Sequence, residues 1–210
     1  MYLPAHFAET RIDVLHRLIN EQPLAALVTF EGGALNANHI PFELDAAPAP
    51  LGTLRGHVAR ANPVWKSHTP EVEALAIFQG AQHYITPAWY PSKRETGKVV
   101  PTFNYIVVHA YGTLRVIEDC EWLRGLVNRL TNRHEAGRVD PWKVTDAPDD
   151  YVDKMLGAIV GIEMKLTKLT GKWKTSQNQP AANRDGVIDG LDELATPQAK
   201  AMSALVRETK

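Results

Sequence analysis

The sequence predicts an α+β barrel, built mostly from antiparallel strands with flanking helices. Three observations carry this reading. Apolar runs rich in β-branched and aromatic residues recur between Leu24 and Ile117, punctuated by glycine and proline. Helical periodicity begins near Thr10 and returns only after Asp119, interrupted by one late β-type run from Ile162 to Leu169. No internal repeat or low-complexity linker divides the 210 residues. Residues 1–210 therefore read as one domain, with a helical tail from about 184.

The elements follow in order. Thr10 is placed to cap a first helix, with Asp13 favouring its N-terminus and Ile12, Leu15, Leu18 and Ile19 forming its apolar face. Leu24 to Phe30 is a short strand ended by Glu31-Gly32-Gly33, a hairpin signal. Leu35 to Leu44 is the returning strand, with an edge or a bulge where Pro41 lacks a donor N–H. Gly52 to Ala59 is a third strand, and Pro63 to Ser67 one helical turn. Leu75–Gly80 and Gln82–Thr86 read as a strand bent at Gly80, and Pro87 to Pro101 as a long loop. Phe103 to Ile117 is the richest β run. Asp119 to Ala136 is a helix whose apolar face includes Cys120, and Tyr151 to Ile159 a second, shorter helix. The tail holds helical segments around 184–194 and 197–207.

Composition sets bounds. With 44% hydrophobic, 8% aromatic and 22% charged residues, the chain is neither fibrous nor collagenous nor wholly disordered. Its apolar stretches fall short of the roughly 18 residues of a membrane span, and Met1 to Thr10 lacks the pattern of a secretion signal. One cysteine leaves no intrachain disulfide to form. A soluble cytoplasmic protein is expected. The formal net charge of −1 argues against a wholly basic nucleic-acid binder, but the charge is unevenly spread. Residues 46–117 carry seven basic and three acidic side chains, and Met164 to Arg184 five basic and none acidic. Such stretches are either solvated faces or parts of an anion site.

Several chemistries are missing from the sequence. There is no dinucleotide or P-loop glycine fingerprint, no H-E-x-x-H, no cysteine-rich zinc pattern and no nucleophile elbow. Three segments remain. In Leu54-Arg-Gly-His-Val-Ala-Arg-Ala-Asn-Pro63, the imidazole of His57, the guanidinium of Arg60 and the amide of Asn62 together suit a phosphate. In Tyr84 to Tyr105, aromatics flank the long loop, and Thr102 and Asn104 alternate on one strand face, a setting for a planar ligand. Gly171 to Asn178 offers Lys172, Lys174, Ser176 and Gln177 without an acidic competitor. The plain alternatives are a solvated strand end, aromatic core packing and a surface loop.

At these segments the chain resembles the PaiB family of FMN-binding negative transcriptional regulators. The likeness rests on Asn38-His-Ile-Pro41, Gly52 to Pro63, Tyr84-Ile-Thr-Pro-Ala-Trp-Tyr-Pro91, Val100-Pro-Thr-Phe-Asn-Tyr105, His109-Ala-Tyr-Gly112 and Ser176-Gln-Asn178, in order along nearly the whole chain. Thr86 and Phe103 depart mildly from the family pattern, which prefers Ser and Trp there. The resemblance implies a flavin-binding split β-barrel, like that of pyridoxamine-phosphate oxidases, working as a homodimer with FMN at the subunit interface. It assigns His57, Arg60 and Asn62 to the phosphate, and Asn38, His39, Thr102 and Asn104 to the ribityl chain or ring. Lys174 and Gln177 would reach in from the late strand, and Gln79 would lie at the ring edge. No catalytic residue and no metal ligand is assigned. DNA is a partner through the resemblance alone, since no helix-turn-helix with a basic recognition face is visible and Asp185 to Glu193 is acidic. Two other classes stay open: a flavin-dependent oxidoreductase, and a haem-binding relative with His39 or His109 as axial ligand.

Overall fold

The computed structural model describes residues 1–209. Its strands are β1 (Ala8–Glu9), β2 (Leu24–Glu31), β3 (Ala34–Pro41), β4 (Glu43–Asp45), β5 (Thr53–Ala59), β6 (Ala74–Ile85), β7 (Thr102–Ile117) and β8 (Ile159–Lys174). The helices are α1 (Ile12–Glu21), α2 (Val64–Ser67), α3 (Ser92–Thr96), α4 (Cys120–Glu135), α5 (Asp149–Gly157), α6 (Ala181–Leu194) and α7 (Pro197–Glu208). Strand neighbours run β3-β2-β6-β7-β8-β5-β4, and β1 pairs with β8. This is the expected α+β split-barrel class, with β3 and β4 at the two ends of an unclosed sheet.

The chain forms two compact units, and β6, β7 and β8 each contribute to both. Among the described residues, the first comprises 1–18, 79–108 and 170–209, and the second 19–78 and 109–169.

In the second unit, β2 and β3 form the predicted hairpin, turning through Gly32 and Gly33 at φ of 54° and 90°. The returning strand stops at Pro41. Phe42 donates its N–H to the Pro23 carbonyl and buries its ring, so β4 is a separate strand against β5. β5 pairs antiparallel with β8, placing His57 opposite Gly161. Asp119 caps α4 by accepting the Trp122 N–H. The buried face of α4 is Leu123, Leu126 and Leu130; Cys120 is exposed at its first turn, so the apolar face does not include it. Cys120 lies at the edge of the leucine stripe, in the first turn of the helix, where its thiol faces solvent.

In the first unit, α1 follows Arg11, whose carbonyl accepts the Val14 and Leu15 N–H groups, rather than Thr10. Glu9 accepts the Arg11 backbone N–H and its guanidinium. β6 runs through Gly80 without a break: a Cβ there would lie 2.6 Å from Ile106 and 2.7 Å from Leu18, so the glycine admits close packing and no bend is needed. The segment from Pro87 to Pro101 is also more ordered than a loop. A 3-10 turn at Pro87–Trp89 and the short α3 occupy it, closed by Gly97 at φ 65°. The tail helices begin at Ala181 rather than near 184 and pack on this segment. Ile85, Tyr90, Val187, Ile188, Leu191, Ala199, Met202 and Val206 form one buried cluster, with Trp89 against it.

Candidate functional site

Three cavities contain predicted site residues, one in the first unit and two, both lined by His57, in the second. The polar one belongs to the first unit. Strand β7 contributes Thr102 and Asn104, which share a face as their spacing predicted, and β8 ends alongside with Lys174. Phe7, Tyr90, Val100 and Pro101 supply apolar wall, and Ser176, Asn178 and Gln179 complete a cleft of about 220 Å³. Lys174 Nζ donates to Thr102 Oγ1 and, over 2.8 Å, to the Phe103 carbonyl. Burial, with the Lys172 charge nearby, pushes its ammonium below the usual lysine range. Asn104 is 1% exposed; its Nδ2 donates to Ser176 Oγ over 2.9 Å, while its Oδ1 is buried without a partner. Ser176 adopts φ 69°, a left-handed conformation uncommon for a residue with a side chain, so the surrounding structure holds its hydroxyl in place. Gln177 is spent locally. Its Oε1 accepts the Thr175 N–H over 2.8 Å and its Nε2 donates to the Trp173 carbonyl.

Tyr90 was not singled out from the sequence, although it lies within the Tyr84 to Pro91 stretch. Its hydroxyl is buried and unpartnered, and burial pushes its pKa up. Gln79, also of the first unit, is exposed on β6.

The apolar cavity belongs to the second unit and measures about 450 Å³. His57 of β5 lines it together with Ala59, Val127, Trp142, Tyr151 and Met155. Arg60 does not line it. Its Nε donates to the Gly157 carbonyl over 2.9 Å, Nη2 to the Ile159 carbonyl over 3.2 Å, and Nη1 to Glu118 over 2.6 Å. Asn62 donates to Asn38 Oδ1 over 2.8 Å, and its own oxygen accepts the Val64 N–H at the start of α2. Asn38 and Asn62 are thus brought together, while His57 and Arg60 face different surroundings. His39 is exposed on the edge strand β3. His109 is half-buried with an unpartnered Nδ1, and burial lowers its pKa.

The two basic stretches have different fates. Arg55 pairs with Asp45 and Glu163, Arg60 with Glu118, and Arg115 with Glu163. Lys172 and Lys174 bond to carbonyl and hydroxyl oxygens instead: Lys172 Nζ donates to the Tyr2 carbonyl over 3.1 Å, and Lys174 Nζ to Thr102 Oγ1 and the Phe103 carbonyl. No group of three or more metal-ligating side chains occurs among the described residues, and no helix is long and apolar enough to cross a membrane.

Residues 1–168 match the family described as "Putative FMN-binding domain". A protein of Emericella nidulans is 36% identical over 243 residues, covering 99% of this chain and 97% of the relative. The Bacillus subtilis protease synthase and sporulation protein PAI 2 is 30% identical over 208 residues, with 99% and 97% covered. Among solved structures, an FAD- and haem-binding protein from Mycobacterium smegmatis superposes with a TM-score of 0.60 at 20% identity, over 80% of this chain and 73% of that one. A flavocytochrome from Azotobacter vinelandii gives 0.58 at 12% identity, over 80% and 69%. These two likenesses are of fold.

Proposed function

Since the chain belongs to the PaiB family of FMN-binding domains, with FMN as its cofactor, we propose that it is a cytoplasmic homodimeric regulator of gene expression that holds FMN through the Thr102–Asn104–Lys174–Ser176 cleft. The observation that carries the placement is Lys174: a desolvated cation bonded to a hydroxyl and a carbonyl rather than to a carboxylate. The cleft fits the polar end of the cofactor. A phosphate would take the Lys174 charge, and the unpartnered Asn104 Oδ1 would accept from a ribityl hydroxyl. Fixed donors of this kind need no glycine-rich loop. When bound, FMN supplies a two-electron redox centre, and the protein's part is to bind, orient and shield it. Asn38, His39, His57, Arg60, Asn62, Gln79 and Gln177 remain in the reading as residues for other parts of the cofactor or for the partner subunit's copy.

The regulatory half rests on the Bacillus relative, whose name ties it to protease synthesis and sporulation. The homodimer is supported by apolar side chains on one face of the β2–β3 hairpin, where Leu24 is 60% and Leu35 76% exposed. Flavin titration of the purified protein tests the core of the proposal. Saturable quenching of FMN fluorescence, weakened in Lys174→Ala, is expected; unsaturable quenching overturns it. FMN-dependent, salt-sensitive retention of a specific duplex supports regulation, whereas oxidation of a nicotinamide by the flavin-loaded protein favours an oxidoreductase.

A further inference from the structure

The largest cavity among those described is not the polar cleft, and its chemistry calls for a different ligand. It lies in the second unit, between the outward face of β5 at His57 and Ala59, helix α4 at Val127, and helix α5 at Tyr151 and Met155. At about 450 Å³ it is in the range of small-molecule sites. Two of its aromatic walls are left wet, Trp142 at 49% and Tyr151 at 55% exposed. Its remaining polar groups are the indole N–H of Trp142, the hydroxyl of Tyr151 and the imidazole of His57, whose Nδ1 is buried without a hydrogen-bond partner; His57 and Trp142 also line a neighbouring cavity with Thr131, His134 and Glu135.

That combination selects a ligand. A buried polar atom without a partner is costly, and a water molecule held there needs two to four polar neighbours, which aliphatic walls do not supply. Burial also lowers the imidazole pKa, so the ring is held neutral and donates at one nitrogen while accepting at the other. No lysine or arginine lines the cavity to meet an anion. The nearby guanidinium of Arg60 is committed to two carbonyls and to Glu118. We propose that this cavity is a binding site for a small, neutral, predominantly aromatic molecule carrying one hydroxyl group, which stacks against Trp142 and Tyr151 and exchanges a hydrogen bond with His57. Such a site would let the protein respond to a hydrophobic aromatic metabolite. It does not depend on where FMN is held.

The test uses the full chain and three bicyclic probes: 1-naphthol, naphthalene and 1-naphthoate, with binding followed by calorimetry and by quenching of tryptophan fluorescence. The expected result is saturable binding of 1-naphthol at one site per chain, about fivefold tighter than naphthalene and at least about tenfold tighter than the carboxylate. In His57→Phe the 1-naphthol affinity falls to that of naphthalene, and naphthalene is unchanged. Saturating FMN leaves 1-naphthol binding intact. If 1-naphthol and naphthalene bind alike, if neither saturates, or if FMN displaces 1-naphthol, the proposal is overturned; in the last case the cavity is a slot for the flavin itself. Should His57→Phe fail to fold, as judged by circular dichroism, Ala147→Phe fills the same cavity from its wall. It abolishes 1-naphthol binding if the proposal holds, and persistent binding in that variant overturns it.

Discussion

The polar cleft of the first unit and the apolar cavity of the second both contain buried polar atoms without partners, yet they are built for opposite ligands. In the cleft, the unpartnered Asn104 oxygen sits among a lysine ammonium, a threonine hydroxyl and a serine hydroxyl, so it is one member of a polar set. In the cavity, the unpartnered His57 nitrogen faces a mostly apolar lining whose other polar groups are the Trp142 indole and the Tyr151 hydroxyl. Burial lowers the pKa of both Lys174 and His57, with different consequences. A lysine depressed from 10.5 still has room to stay charged at neutral pH, whereas a histidine depressed from 6.5 is neutral there. The same desolvation thus acts on a cation in the proposed anion cleft and on an imidazole in the proposed site for uncharged molecules.

The comparison can be broken or sharpened by mutation. The largest effect is expected at the cleft's support. A Cβ added to Gly190 would lie 2.3 Å from the Trp89 ring, so Gly190→Ala forces α6 away from the Tyr90 wall and should cost about 3 kcal/mol in chemical denaturation. Next is the charge. Lys174→Ala should weaken FMN binding by about 2 kcal/mol, with partial recovery in Lys174→Arg, both read by flavin titration. If affinity is unchanged, the cleft does not hold the phosphate.

The same lysine gives a pH dependence with a definite sign. Its folded pKa lies below 10.5, and only its protonated form attracts phosphate. FMN affinity should therefore be steady near neutrality and fall as pH rises through that lowered value, with proton uptake on binding in the same window. The dependence should vanish in Lys174→Ala. Asn104→Leu removes the amide and leaves Ser176 Oγ without its donor, and should weaken FMN binding by about 1 kcal/mol. The smallest effect concerns Arg60. Because its guanidinium ties the Gly157 and Ile159 carbonyls, Arg60→Ala should lower stability by about 1 kcal/mol. Loss of FMN affinity beyond that would return Arg60 to the phosphate and enlarge the role of the second unit.

How far these features were legible depended on how local their causes are. The β2–β3 hairpin could be read because two adjacent glycines and an apolar alternation specify it without outside help. Thr102 and Asn104 could be paired because strand periodicity alone puts them on one face. Gly80 misled, since a missing side chain is the same letter whether it serves a bend or close packing against Ile106 and Leu18. The segment from Pro87 to Pro101 misled because its order comes from α6, nearly a hundred residues later. Arg60 reads as a phosphate ligand from the sequence because its carbonyl partners at Gly157 and Ile159 lie 97 and 99 residues away. The sequence joins His57 to Arg60 and Asn62 as a phosphate clamp, but the surroundings of His57 are supplied by α4 and α5, which no pattern around residue 57 reveals. Tyr90 was passed over inside a quoted motif, its value depending on burial that composition does not record.

The junction at the end of β8 has a practical consequence. The family match stops at residue 168, whereas Lys174, Ser176 and the helices that seat Trp89 come after it. An expression fragment trimmed to the matched segment would keep every glycine and proline of the quoted motifs up to Gly112. It would nonetheless discard the ammonium group, expose Ile85 and Tyr90 to solvent, and give a blank flavin assay for reasons unrelated to chemistry. Domain borders drawn from sequence likeness here cut through the proposed cofactor cleft rather than around it.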